Sequence, residues 1–313
     1  MALLRVCLFG KLSLQCEGRL VPGFDARKIQ QLFCYLLLHR DHPHPREVLA
    51  GLFWGDNSTD QSKKHLRQAL WQLQSALDRN RESSNRGCLL TADAGWVDLH
   101  SGADLWLDVA EFEEAFATTK DVRGRDLDLE KAHLLESAAQ LYHGDLLEGW
   151  YEDWCLFERE RLQNMYLAIL DKLMGYCEVN KQYETGILYG TRILFFDRAH
   201  EQTHQHLMRL QYLAGNRTAA LRQYERCSAA LDEELGVKPA KFTLALYQQI
   251  RNDEVDELPI STATKTRHVP KSSPVPAQEL LARLNQVNEL LTDVQKAVRG
   301  GMQAIELVMK DHR

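Results

Sequence analysis

STDQSKKHLRQALWQLQSALD, residues 58–78, places two different surfaces on one helix. Leu66, Leu70, Leu73 and Leu77 recur at helical spacing and share a narrow stripe, given about 100° of rotation per residue. Lys63, Lys64, Arg67, Gln68, Trp71 and Gln74 fall on the other side. Ser58, Thr59 and Asp60 are all side chains that cap a helix N-terminus, so the start lies among them. One face is built for a core. The other offers cations and amides, the groups that meet phosphates and base edges in a major groove.

The flanks say what kind of helix this is. Upstream, LRVCLFG and LSLQCEGRLV alternate apolar and polar residues around Gly10-Lys11 and Glu17-Gly18, which predicts two strands over 3–21. A helix is expected over Arg27–Leu38, a turn at Pro43–Pro45, and a short helix over Arg46–Phe53 with Val48, Leu49, Leu52 and Phe53 facing inward. Downstream, Cys88–Thr91 and Trp96–Leu99 flank Asp93-Ala94-Gly95, the pattern of a hairpin. The hairpin would set Arg86 and Thr91 beside a nucleic-acid backbone. Strands, two helices, a long amphipathic helix and a hairpin together make a winged helix-turn-helix preceded by a small sheet.

From residue 105 the pattern is helical, with segments expected at about 108–118, 129–142, 154–179, 183–196, 201–214, 217–234 and 240–250. Leu173-Met174 and Gly186-Ile187 are matched 34 residues later by Leu207-Met208 and Ala220-Leu221, the tetratricopeptide period. Residues 251–278 are rich in Pro, Ser, Thr and Lys and lose apolar periodicity, as a linker does. Beyond it Leu280, Leu284, Val287, Leu291, Val294 and Val298 repeat at the spacing of a coiled-coil seam. An isolated helix must cover such a seam, by self-association, by docking back onto the repeat groove or by capture of a partner protein, and self-association is the expectation. The expected organisation is a winged-helix domain at 1–102, a helical-repeat domain at 103–250, a linker at 251–278 and an amphipathic helix at 279–313. The fold class is mainly α with a small N-terminal β part.

Charge separates the same modules. The chain carries a net charge of −6, but residues 1–100 sum to +3 and residues 101–250 to −9. The one positive segment is the one with the basic helix face, as expected of a module that meets phosphate. The seven cysteines are scattered without a C-x-x-C pair, consistent with reduced thiols in the cytoplasm. No apolar run is long enough for a bilayer, and the N-terminus reads as a strand, not a signal peptide. His39, His42 and His44 lie in a proline-punctuated turn, and no metal or other cofactor is expected. Phosphate-loop, H-E-x-x-H and G-x-S-x-G patterns are absent, so no enzyme is expected. Trp54, Trp96, Trp106, Trp150 and Trp154 read as packing residues; Trp71, on the polar face, is left between DNA sugar and a neighbouring domain. Glu111, Glu113, Glu114, Glu158 and Glu160 read as solvated.

Several stretches in combination resemble bacterial activators of the antibiotic regulatory protein type. They are LRVCLFG, REVLAGLFWGD, HLRQALWQLQSAL, CLLTADAGWVDL leading into DVAEFEEA, LYHGDLLEGWYEDWCLFERERL and AGNRTAALRQYERCSAALDEELGVKP. The resemblance spans roughly residues 3–250. It implies an OmpR-like winged helix fused to a bacterial transcriptional activator domain of tetratricopeptide-like helices. It further implies that Lys63, Lys64, Arg67 and Gln68 face double-stranded DNA at promoter repeats and that the protein recruits RNA polymerase. Gln74 stands where that family commonly has arginine, Val97 where the wing commonly has a basic residue, and Arg198 where proline is usual; the first two lower phosphate affinity. The rival expectations are a helical-repeat adaptor with a degenerate winged helix, and a regulator controlled by a partner at the repeat domain.

Overall fold

The computed structural model describes residues 4–16, 18–21, 24, 26–79, 89–99 and 105–254. The expected linker beyond residue 254, the seam of 280–298 and Arg86 lie outside them. Residues 1–255 form one compact unit.

The chain begins with three short strands, β1 (Leu4–Cys7), β2 (Ser13–Cys16) and β3 (Arg19–Leu20). β1 and β2 pair antiparallel, with Val6 opposite Leu14. Between them the chain doubles back through Gly10, whose φ of 77° is left-handed and suits glycine. Helix α1 (Arg27–Leu38) buries Ile29, Leu32, Phe33, Leu36 and Leu37, as the spacing predicts. A two-residue strand β4 (His44–Pro45) leads into α2 (Arg46–Trp54), and α3 (Thr59–Arg79) follows. The wing is the antiparallel hairpin of β5 (Leu90–Ala92) and β6 (Trp96–Leu99), with β4 added along β6.

A strand comes next where helix is expected. Leu105–Leu107 is β7, and it runs parallel to β1 with Leu107 opposite Val6. The N-terminal sheet, ordered β3-β2-β1-β7, therefore closes only with residues beyond 102. Three residues give no periodicity to read, which is why the sequence places the start of the helical pattern too early. The helices α4 (Asp108–Thr118), α5 (Leu129–Leu141), α6 (Asp153–Val179), α7 (Tyr183–Phe196), α8 (Glu201–Leu213), α9 (Arg217–Leu235) and α10 (Lys241–Asn252) complete the described chain.

Local chemistry sets several of these ends. Asp128 accepts from the Lys131 amide at 2.8 Å and caps α5. Asn216 accepts from the Ala219 amide at 3.0 Å and caps α9, which stops at Gly236 with φ 65°. The 34-residue repeat is real packing. Leu173, Met174, Leu207 and Met208 are all buried, and so are Gly186 and Ala220 at the matching positions of the second helices. A Cβ on Gly190 would stand 2.7 Å from Leu207 Cδ2 and 2.7 Å from Met174 Cε. The two glycines that weaken α7 as an isolated helix are what lets it lie between α6 and α8.

Two further expectations are corrected. Only Leu49, Ala50 and Phe53 of α2 are buried; Val48 and Leu52 are exposed, because α2 packs by one stripe and they lie off it. Glu113 and Glu158 are not solvated. Arg161 pairs with both, at 2.5 Å and 2.7 Å, and Arg40 at the end of α1 pairs with Glu113 at 2.6 Å. These pairs join the winged helix to α4 and α6.

Candidate nucleic-acid interface

The site rests on α3, and its apolar face comes first. Leu66, Ala69, Leu70, Leu73, Ala76 and Leu77 are all buried, and α3 packs against α1 and α2. That burial fixes the rotation of the helix. The first turn is held by Ser62, itself buried, whose hydroxyl donates to Trp54 O at 2.7 Å. His65 stacks on Trp54 with centroids 6.4 Å apart.

With the stripe inward, Lys63, Lys64, Arg67, Gln68 and Trp71 are exposed together. Trp71 is 65% exposed, so it is not packed into the neighbouring helical domain. Two residues of the expected set are engaged. Lys63 Nζ lies 2.7 Å from Glu47 Oε1 on α2, and the hydrogen bond holds Lys63 above and Glu47 below its ordinary pKa. Both ends are open to solvent, where such a pair is weak and exchangeable for a phosphate. Gln74 is half-buried and donates through Nε2 to Leu90 O at 3.2 Å. It braces α3 to the wing and does not stand free on the polar face. The helical period alone cannot show this, because the partner is a backbone carbonyl of another element.

The wing tip is equally fixed. Asp93 Oδ1 accepts from the Gly95 amide at 2.9 Å and the Trp96 amide at 2.7 Å, which holds its carboxyl below the usual range. Arg46, at the start of α2, donates to Asp93 O at 2.8 Å through its guanidinium and to Gly95 O at 2.9 Å through its amide. Arg46 is absent from the residues that sequence reasoning singles out; the signal would have been its place directly after the Pro43–Pro45 turn. Trp96 departs from its expected packing role, being 50% exposed on the wing, while its neighbour Val97 is fully buried. Strand alternation sends one of the two outward. Among the described residues no group of His, Cys, Asp and Glu could hold a metal ion; His44 instead uses Nε2 to bond His39 O at 2.9 Å.

The sheet below the site is tied to the helical domain. The buried Asp108 carboxylate accepts from the Leu8 and Phe9 amides at 2.8 and 2.9 Å and from its own neighbour Val109 at 2.8 Å. Burial pushes this carboxyl up and the three amides pull against it. The loop before α6 adds Gly10 N to Asp145 O at 2.8 Å and Leu147 N to Leu8 O at 2.8 Å. Arg27 lies over the Trp150 ring at 3.8 Å.

A winged helix joined to a run of helices packed one on the next defines a class, and similarity to known proteins agrees with it. Residues 107–251 match the family model of the bacterial transcriptional activator domain. That domain is one found in bacterial transcription regulators, and the chain is similar to such proteins. Among curated proteins it is similar to the regulatory protein AfsR of Streptomyces coelicolor, 23% identical over 274 residues that make up 86% of this chain. The chain spans 27% of the length of that relative. Among solved structures it is similar to Mycobacterium tuberculosis EmbR, determined in complex with a low-affinity phosphopeptide. There the TM-score is 0.62 with 18% identity, over 81% of this chain and 66% of that one. That likeness speaks to the fold. Among the described residues no helix is long and apolar enough to cross a membrane.

Proposed function

We propose that this chain is a cytoplasmic, sequence-specific DNA-binding activator that seats α3 in the major groove of promoter repeats and brings RNA polymerase to them through its acidic helical domain. The observation that carries this is the rotation of α3. Six buried side chains fix the helix so that Lys63, Lys64, Arg67, Gln68 and Trp71 share its open face. Lysine and arginine supply the sequence-independent phosphate attraction. Gln68 supplies the amide that reads a base edge, and Trp71 the flat surface for a sugar. No enzymatic role follows from any of these groups.

The adaptor reading gains from one observation. Lys63 is already paired with Glu47, and Gln74 is committed to the wing, so the polar face offers fewer free donors than the sequence suggests. DNA selection on the purified protein, followed by the double variant Lys63→Ala/Arg67→Ala, separates the two. The DNA reading expects a selected motif, loss of specific binding in the double variant, and a salt dependence flatter by about two units of slope, one per lost phosphate contact. Wild-type affinity and slope in the double variant would remove α3 from the interface and leave the adaptor.

A further inference from the structure

A groove of about 440 Å3 opens in the helical domain where the end of α5 meets α6 and the end of α7. Its floor is aromatic. Tyr142 and Tyr166 stack with centroids 4.2 Å apart and planes 10° from parallel, and Phe196 meets each of them edge-on at 6.5 and 6.0 Å. Phe195 stands at the rim, perpendicular to Phe196 and 83% exposed. Arg192, one turn earlier on α7, lines the same groove and is exposed. The volume falls within the range of small-molecule sites, which are lined by apolar rings with a few polar groups to orient the ligand.

We infer that this groove binds a small aromatic carboxylate, with its ring against Tyr142, Tyr166 and Phe195 and its carboxylate on Arg192. The ring is specified by the exposed Phe195, whose face an aromatic ligand would cover, above the edges of the buried Tyr142–Tyr166 pair. The carboxylate is specified by the guanidinium, whose fork matches it in a bidentate pair. A dianion fits less well. Only one cation lines the groove, and Asp145 Oδ1 lies 3.4 Å from the Tyr142 hydroxyl beside it. His143 also lines the groove, and its Nδ1 bonds Leu141 O at 2.8 Å. The same imidazole lies against Gly10, where an added Cβ would stand 3.3 Å from its Nε2. The groove thus shares a wall with the turn of the N-terminal sheet, and a bound ligand would be one residue away from the hydrogen bonds that join sheet to helical domain.

Isothermal titration of the full chain with 1-naphthoate and with its uncharged analogue 1-naphthamide tests this without reference to DNA. The expected result is one saturable naphthoate site, with naphthamide bound at least about tenfold more weakly, as loss of a charge-assisted pair implies. Arg192→Gln should abolish that preference, and Phe195→Ala should weaken both probes several-fold. Both side chains are exposed, so circular dichroism and melting of the variants should match wild type. Absence of saturable naphthoate binding up to about 1 mM, a weak range for any specific site, would overturn the inference. So would equal binding of the two probes, or a preference that survives in Arg192→Gln.

Discussion

Replacing Asp108 by alanine should be among the most destabilising changes in the chain, although Asp108 touches neither the leucine stripe nor the exposed face of α3. Its carboxylate is 1% exposed and is the acceptor for the amides of Leu8, Phe9 and Val109, three residues with no exposed surface. Alanine leaves three buried donors without a partner. Each orphaned donor costs about 1–3 kcal/mol. The loss is partly offset, because burial disfavours the charge and pushes the carboxyl up, so alanine relieves a desolvation cost. A net loss of about 3–5 kcal/mol is expected, a large share of the ~5–15 kcal/mol that holds a folded protein. Asparagine keeps one acceptor oxygen but turns an NH2 toward the remaining amides, so it should fall between wild type and alanine. Urea unfolding at neutral pH, followed by tryptophan fluorescence and by far-ultraviolet ellipticity, measures all three proteins. A loss below about 1 kcal/mol in Asp108→Ala would mean that water replaces the carboxylate, and the argument for a dry joint between β1 and α4 would fail.

Other substitutions probe other levels of the structure. Gly190→Ala should destabilise by about 1–2 kcal/mol, because the ~1 kcal/mol helix gain is outweighed by crowding of Leu207 and Met174, both buried. Gly51→Ala on α2 meets nothing within 4 Å and should stabilise by about 0.5–1 kcal/mol; thermal melts that fail to separate these two would refute the packing of α7. Leu73→Ala should cost about 2–5 kcal/mol, whereas Gln68→Ala should leave the melting temperature nearly unchanged and alter base preference. The reverse order would mean that the rotation of α3 is wrong. Burial raises the Glu178 carboxyl, but hydrogen bonds from His206 and Arg209 outweigh it and hold it at about 2. A lowered folded-state value stabilises above the unfolded value of 4.5 and is lost as pH falls from there toward 2. The stability gap between wild type and Glu178→Gln, about 2 kcal/mol at neutral pH after solvent screening, should therefore close across that window. A gap that stays constant with pH would refute the clamp.

The elements with long periods were legible. Arg27–Leu38 and Tyr183–Phe196 fall where apolar spacing puts them, and the four leucines of α3 are buried together. So was the main part of the candidate site, since a stripe fixed on one side of a helix fixes the other. What escaped the sequence depends on partners far along the chain. Strand β7 is too short to show a period and exists because β1 lies beside it. Gln74 looks like a free donor until Leu90 O is brought to it. Glu113 and Glu158 sit at solvent spacing on their own helices and are covered only because Arg40 and Arg161 reach them.

These hidden contacts share a location, and that bears on how the proposed function would work. Asp108, the Glu113–Arg40–Arg161 group, the Arg27–Trp150 stack and the Gly10–Asp145 hydrogen bond all join the N-terminal module to α4, α6 or the loop before α6. Most are polar contacts between charged or backbone groups, whose geometry is exacting. Bonds of this kind are directional, so the joint tolerates little displacement before they are lost. If DNA and polymerase meet opposite modules, the orientation of α3 relative to the helical domain is set by this joint and not by a linker. Loosening it with Arg40→Ala should leave the contacts of α3 with a single DNA site intact while impairing transcription from a promoter whose spacing demands a fixed orientation. Gel-shift affinity measured beside in vitro transcription distinguishes the two. Equal losses in both assays would show that the joint serves only to keep the winged helix folded.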